Sequence, residues 1–214
     1  MSLATLLVLA DGRLPAGGHA HSGGLEAQVA AGRVRGLEDV GGFLRGKLVT
    51  GGLVSAAFAA AACRRPGEWA ALDRGLDART PSPALRKASR AQGRALLRAG
   101  RAMWALPPVG REPHQPVALG VLAGAAGLGP LEAAVAAAHG CVAGAASAAV
   151  RLLALDPYAV LALLARLAPD CDRIAAEASR RAGDPVDELP AAGAPLLDVG
   201  AEHHATWEVR LFAS

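Results

Sequence analysis

The sequence predicts an all-α fold: one domain over residues 1–214, a bundle of about eight to ten helices, with an extended C-terminal tail at 200–214. Three observations predict it. Hydrophobic residues fill 52% of the 214 positions but aromatics only 3%, so the core must be built from Ala, Leu and Val. Alanine favours helix and disfavours strand. Apolar residues recur at helical spacing along most of the chain, and apolar/polar alternation appears only in the last ten residues. Pro, Gly, Ser and Asp fall where helices start and stop.

Taken in order, Leu3, Leu6, Leu7 and Ala10 share one face of a short first helix that Gly12 and Pro15 stop. A glycine-rich loop leads into "LEAQVAAG", closed by Gly32, and then into two helices, "LEDVGGFLRGKLVT" and "GGLVSAAFAAAACRR". Their glycine pairs at 41–42 and 51–52 lower helix propensity and admit close neighbours. The clearest helix is "TPSPALRKASRAQGRALLRAGRAMWALPP": Ser82 caps it, Pro83 suits its first position, and Pro107 and Pro108 end it. Leu85, Ala88, Gln92, Ala95, Ala99 and Met103 are its expected inner face, and Arg86, Arg90, Arg94, Arg98 and Arg101 form an outer stripe. "REPHQP" is a linker to two buried, glycine-dotted helices, "VALGVLAGAAGLG" and "PLEAAVAAAHGCVAGAASAAVRLLAL". Asp156 caps "YAVLALLARLAPD", which carries the stripe Val160, Leu163, Leu164 and Leu167, and "DRIAAEASRRAG" is a further helix. "DPVDELPAAGAP" is a loop before the final segment.

Composition excludes several classes. Net charge is only +3, which does not call for nucleic acid, although no acidic residue lies between Asp77 and Glu112 while cations accumulate there. That stripe lacks interleaved aromatics, so a solvated face is its plain role and an acidic protein the next. Cys63, Cys141 and Cys171 form no C-x-x-C pair, which argues against a disulfide framework and a structural zinc site. No basic residue precedes the first apolar run, the reverse of a secretory signal, and a cytoplasmic location is expected. Leu131 to Val150 has the length of a bilayer span but contains Glu132 and His139 among small residues, so a buried helix is expected rather than a membrane segment.

The stretch "DGRLPAGGHAHSGGLE" admits three readings. It lacks the Gly-Lys-Ser/Thr of a phosphate loop, and the only Gly-Lys pair, Gly46-Lys47, is followed by Leu48. His19 and His21 would project to one side of an extended segment, which suits an ion, and His203 or His204 would join only if the tail folded back. The reading best supported locally is a turn: Pro15 bends it, the glycines permit positive φ, and Ser22 caps a helix whose first turn holds Glu26. At the other end, Trp207, Val209 and Leu211 alternate with Glu208 and Arg210, an apolar terminus that must dock on its own domain or on a partner. There is no G-x-S-x-G or H-E-x-x-H, and no catalytic residue is assigned.

These segments together resemble the urease accessory protein UreF family. "LPAGGHAHSGGLE" is similar to its motif L-P-x-G-G-x-x-x-S-x-G-L-E, and "RAQGRALLRAG", "QPVALGVLAGAAGL", "AAVRL" and "APLLDVGAEHHATWEVRLFAS" follow in family order. The resemblance implies a non-enzymatic, cofactor-free, all-α adaptor, usually dimeric. By implication it joins UreD (also called UreH) and recruits the GTPase UreG, coupling GTP hydrolysis to nickel insertion into the urease apoprotein. No nucleic acid or membrane partner is implied. Pro15, Gly17, Gly18, Ser22, Gly24, Leu25 and Glu26 match the N-terminal motif. His204, Trp207, Arg210, Leu211, Phe212 and Ser214 belong to the terminal segment, which by resemblance binds UreD. Arg151 and Leu152 match a region tied to dimerisation and UreG recruitment. The chain departs from the family in having His19 and His21 where aromatics are usual, and Asp156-Pro157 near a usual Gly-Gln pair. The alternative is a direct nickel-binding chaperone using His19 and His21, with His204 as a third candidate.

Overall fold

The computed structural model describes residues 2–213, leaving aside the side chain of His19. Among the described residues there is no strand, and the helices are α1 (Leu3–Ala10), α2 (Leu25–Ala30), α3 (Leu37–Lys47), α4 (Leu53–Arg64), α5 (Trp69–Arg79), α6 (Pro83–Arg101), α7 (Gln115–Ala125), α8 (Pro130–Leu153), α9 (Pro157–Arg180) and α10 (Pro195–Ala205). The all-α bundle and its helix number are as the sequence predicts. The alternating terminal residues make no strand: 206–213 are irregular.

Three boundaries differ from expectation. The helices α3 and α4 are one rod, joined without a break by a π-helical turn at Leu48–Gly52. The glycine pair at 51–52 thus relaxes the helix without ending it. Helix α9 likewise runs straight through Pro169. The N–H that proline lacks would have met the carbonyl of Ala165, and both residues are exposed, so water can take that carbonyl. Helix α5 was not foreseen; Leu72 and Leu76 anchor it, four apart on one buried face, within a segment otherwise rich in charge.

Two of the three predicted caps form at the N-cap position, those of Ser82 and Asp156. Ser82 Oγ accepts the amide of Leu85 at 3.1 Å with Pro83 in the first turn, and Asp156 Oδ1 accepts that of Tyr158 at 3.0 Å. The inner face of α6, however, is rotated from the predicted one. Gly93, Leu96, Leu97, Ala99 and Gly100 are buried, whereas Met103 is 39% exposed. Glycines bring this face closest to its neighbours: a Cβ on Gly93 would overlap the carbonyl oxygen of Pro113, and one on Gly100 would meet Leu122 at 2.7 Å.

Small residues bring the central helices together. A Cβ on Gly120 of α7 would overlap the carbonyl oxygen of Ala59 on α4. On its other side α4 meets α8, whose alanines Ala133, Ala134, Ala138, Ala145, Ala146, Ala148 and Ala149 are buried, and α8 packs along α9. One continuous apolar core joins these helices; a smaller one gathers Phe58, Leu72, Leu76, Val117 and Leu189 under α5. Two helical segments, Leu37–Arg64 and Pro130–Leu153, are long and apolar enough to cross a bilayer, but more than half of each apolar window is buried within this core.

One polar joint organises the edge of the bundle. Buried His114, just before α7, bonds Ser89 on α6 through Nδ1 and Asp77 on α5 through Nε2, both at 3.0 Å. Arg90 spans Asp73 and Asp77 at 2.9 and 2.7 Å. Burial opposes the Asp77 charge, but the bonds from His114 and Arg90 outweigh it and hold its pKa below the usual range.

Candidate functional site

The opening loop is built on positive φ at Gly17 (+76°), Gly23 (+60°) and Gly24 (+91°), where a side chain would be strained. Gly18–Ala20 make one 3-10 turn, and His21 leaves it extended. The backbone at residue 19 is thus in a turn and not in an extended segment. Pro15 and Gly18 are exposed, while Ser22 and Leu25 are fully buried. Ser22 caps from a distance: Gly24 holds the N-cap position, and Ser22 Oγ accepts the amide of Glu26 at 3.2 Å. Lys47, weighed in the sequence only as half of a Gly-Lys pair, pins the loop from α3 by donating to the carbonyl of Gly23 at 2.8 Å.

The terminal segment folds back onto this loop. Glu26, 7% exposed, is the fastening point. His204 Nε2 donates to Glu26 Oε2 at 2.8 Å, the amide of Leu211 to Oε1 at 2.9 Å, and the amide of Phe212 to Oε2 at 3.1 Å. A buried carboxylate is costly unless its lone pairs are filled, and here three donors fill them. Beside them the amide of Ala213 donates to the carbonyl of Ala20 at 2.7 Å. The Phe212 ring is buried, and the guanidinium of Arg151 lies 4.3 Å from its centroid. Leu152, next along α8, is partly buried against the main core.

The tail is therefore two-sided. His204 and Phe212 face inward; Val209 (86% exposed) and Leu211 (70%) face outward with Arg210. Trp207 is half-buried against the ring of His204, centroids 4.7 Å apart, and donates Nε1 to His203 Nδ1 at 3.1 Å. Ser214 lies outside the described residues.

Helix α10 is itself pinned at two ends. Gln28 donates to the carbonyl of Leu196 at 3.3 Å. Glu202 reaches the start of α6, where it takes the Ser82 hydroxyl and the Ala84 amide (2.8 Å). Those two bonds lower the Glu202 pKa, the Ser82 hydroxyl most, as expected for a carboxylate at a helix N-terminus. Asp198, one turn earlier, is raised by burial. Leu196 and Val199 remain 63% and 68% exposed, adding apolar area on the outer side of α10.

The sequence separately named the N-terminal motif, the tail and Arg151; in space they meet around Glu26 and Phe212. The backbone carbonyl of Ala20 was invisible to residue-type reasoning, and Glu202 was missed because its partner lies 120 positions away. Among the described residues no group of three His, Cys, Asp or Glu stands close enough to hold a metal. His204, the third candidate, spends Nε2 on Glu26.

Comparison with known proteins bears on what this arrangement serves. The UreF family model matches residues 34–168, more than half the chain. A urease accessory protein UreF of Mycobacterium sp. (strain JLS) is 48% identical over 216 residues, covering 100% of this chain and 99% of its own. The proteins of the same name from Mycolicibacterium vanbaalenii and Mycobacterium tuberculosis (strain ATCC 25618 / H37Rv) are 47% and 44% identical, again over 100% of this chain and 99% of theirs. With likeness of this depth from end to end, the chain belongs to the UreF family of urease accessory proteins, which serve the maturation of urease and are not themselves enzymes.

Proposed function

We propose that the chain, acting as one unit over residues 1–214, is the cytoplasmic adaptor that binds UreD and recruits the GTPase UreG, so that GTP hydrolysis is coupled to nickel insertion into the urease apoprotein. The observation that carries this reading is the two-sided tail. Glu26, Ala20 and Arg151 hold its backbone and the Phe212 ring, which leaves Val209, Arg210 and Leu211 exposed, as are Leu196 and Val199 of α10. A chain end that exposes this much apolar surface on a fixed base is suited to a protein partner. In this division of labour Leu211, Arg210 and Trp207 meet UreD, whereas His204 and Phe212 hold the surface in shape. Arg151 and Leu152 belong to the region where a second copy and UreG would assemble. Nickel is cargo of the assembly, and no residue of this chain is assigned to hold it.

Co-purification with UreD tests the reading. The full chain is expected to retain UreD, deletion of Trp207 to Ser214 to abolish it, and Val209→Ser with Leu211→Ser to weaken it at least tenfold without unfolding the bundle. Undiminished UreD binding by the truncated chain overturns it.

A further inference from the structure

The arginine helix carries a surface that the tail does not use. Lys87, Arg94, Arg98 and Arg101 of α6 are all exposed, and their spacing of seven, four and three residues places them on one face. From Lys87 to Arg101 the ridge is about 21 Å long.

The structure sorts the cations of this helix into two sets. Arg86 is turned to the carbonyls of Thr80 and Pro81, Arg90 to Asp73 and Asp77, and Arg94 to Glu112 at 2.8 Å. Lys87, Arg98 and Arg101 have no carboxylate partner among the described residues. Like charges at helical spacing repel, and Lys87 near the positive end of the helix is worse placed still. A helix needing only solubility would interleave glutamates four positions away; α6 has no acidic residue at all.

The ridge is also held rigid. Glu202 ties down the start of α6, and Gly93 and Gly100 seat it against Pro113 and Leu122 with no room for a Cβ. The three cations are thus presented from a fixed helix backbone, and the planar forks of Arg98 and Arg101 match carboxylates.

We propose that the Lys87–Arg98–Arg101 ridge docks an acidic helical segment of a protein partner that presents carboxylates along one face. Two observations favour protein over nucleic acid. The ridge presents no aromatic on which a base would stack, since Trp104 is half-buried against the core. The N-terminus of α6, the natural seat for a phosphate, is filled by the Glu202 carboxylate. The proposal does not rest on the tail reading and stands if that reading fails.

The test is fluorescence anisotropy at fixed salt with a labelled helical peptide carrying Glu at every third and fourth position, its Gln counterpart, and single- and double-stranded DNA of similar length. The full chain is compared with Lys87→Glu/Arg98→Glu/Arg101→Glu and with Arg45→Glu/Arg166→Glu/Arg180→Glu, a control of equal charge change at exposed sites on other helices. Circular dichroism checks that both variants fold, and a Gln series at the same ridge positions substitutes if charge reversal disturbs α6. The Glu peptide is expected to bind the full chain and the control within threefold of each other, and the ridge variant at least tenfold more weakly. The proposal is overturned if the Glu peptide binds no better than the Gln peptide, if both variants lose affinity equally, or if DNA binds more tightly than the Glu peptide.

Discussion

Glu26 and His204 stand 178 positions apart in the chain and 2.8 Å apart in space. The same carboxylate takes the amides of Leu211 and Phe212, so one side chain at the start of α2 fixes α10 and the tail together. One more acid, Glu202, ties α10 to the start of α6.

Glu26→Gln tests that fastening directly. The amide keeps one acceptor oxygen for donors that now use two, and leaving a buried donor unmet costs about 1–3 kcal/mol. Hydrogen exchange at Leu211 and Phe212 is expected to quicken about 5- to 150-fold, while α4 and α8 amides keep their protection. Unchanged exchange at both tail amides would show that the Phe212 ring alone holds the tail.

The bundle was legible because helical spacing, Ser82 and Asp156 at the caps, and the alanine-rich runs all point the same way. Part of what stayed hidden follows from glycine: helix–helix contacts made at Gly93 and Gly100 leave no side chain there to read. The inner face of α6 was mistaken for that reason, with Met103 placed inside and Gly93 overlooked. At the site, residue types gave Glu26, His204, Arg151 and Phe212 separately. Their convergence depends on backbone amides and on Ala20, which carry no side-chain signature.

Phe212 and Leu211 are neighbours with opposite fates, which separates anchoring from partner contact. Phe212→Ala removes a buried ring and its contact with Arg151, a loss of up to about 3–5 kcal/mol for a core phenylalanine, felt here as release of the tail. Limited proteolysis is expected to cut that variant after Arg210 at least tenfold faster. Leu211→Ala, at a side chain 70% exposed, should leave proteolysis unchanged and weaken UreD retention instead. Equal sensitivity of the two variants in both assays contradicts the two-sided tail.

The acids on α10 should respond to pH with opposite signs. Glu202 is lowered in the folded state, so its contribution is complete above the ordinary carboxylate pKa, about 4, and is lost as pH falls through the lowered value. Asp198 is raised by burial, so its ionised form opposes folding above the raised value, and the penalty fades as pH falls below the ordinary one. At pH 7, Glu202→Gln is expected to lower Tm and Asp198→Asn to raise it, and both differences should shrink towards zero well below pH 4. Melting curves of the two variants across pH 3 to 7 check the signs, and a destabilising Asp198→Asn at pH 7 would mean that its bond from the Ser82 backbone outweighs its burial.

Glycine at the α4–α7 contact is a packing requirement, whereas glycine on the open side of α8 is not. A Cβ on Gly120 would overlap the carbonyl oxygen of Ala59 and come within 2.7 Å of the Ala62 Cβ, backbone and short side chain that cannot swing away. Gly120→Ala must push the two helices apart, and overpacking of this kind costs about 1–3 kcal/mol or more. Gly140 sits in the interior of α8, exposed, with nothing within 4 Å of the added atom. There the substitution only removes the conformational freedom of glycine and should stabilise the helix by roughly 0.5–1 kcal/mol. Denaturant unfolding of both variants reads the difference: the midpoint should fall for Gly120→Ala and rise for Gly140→Ala. A neutral Gly120→Ala would mean that the rods are free to slide, and the small-residue seam would then not be what fixes the spacing between α4 and α7.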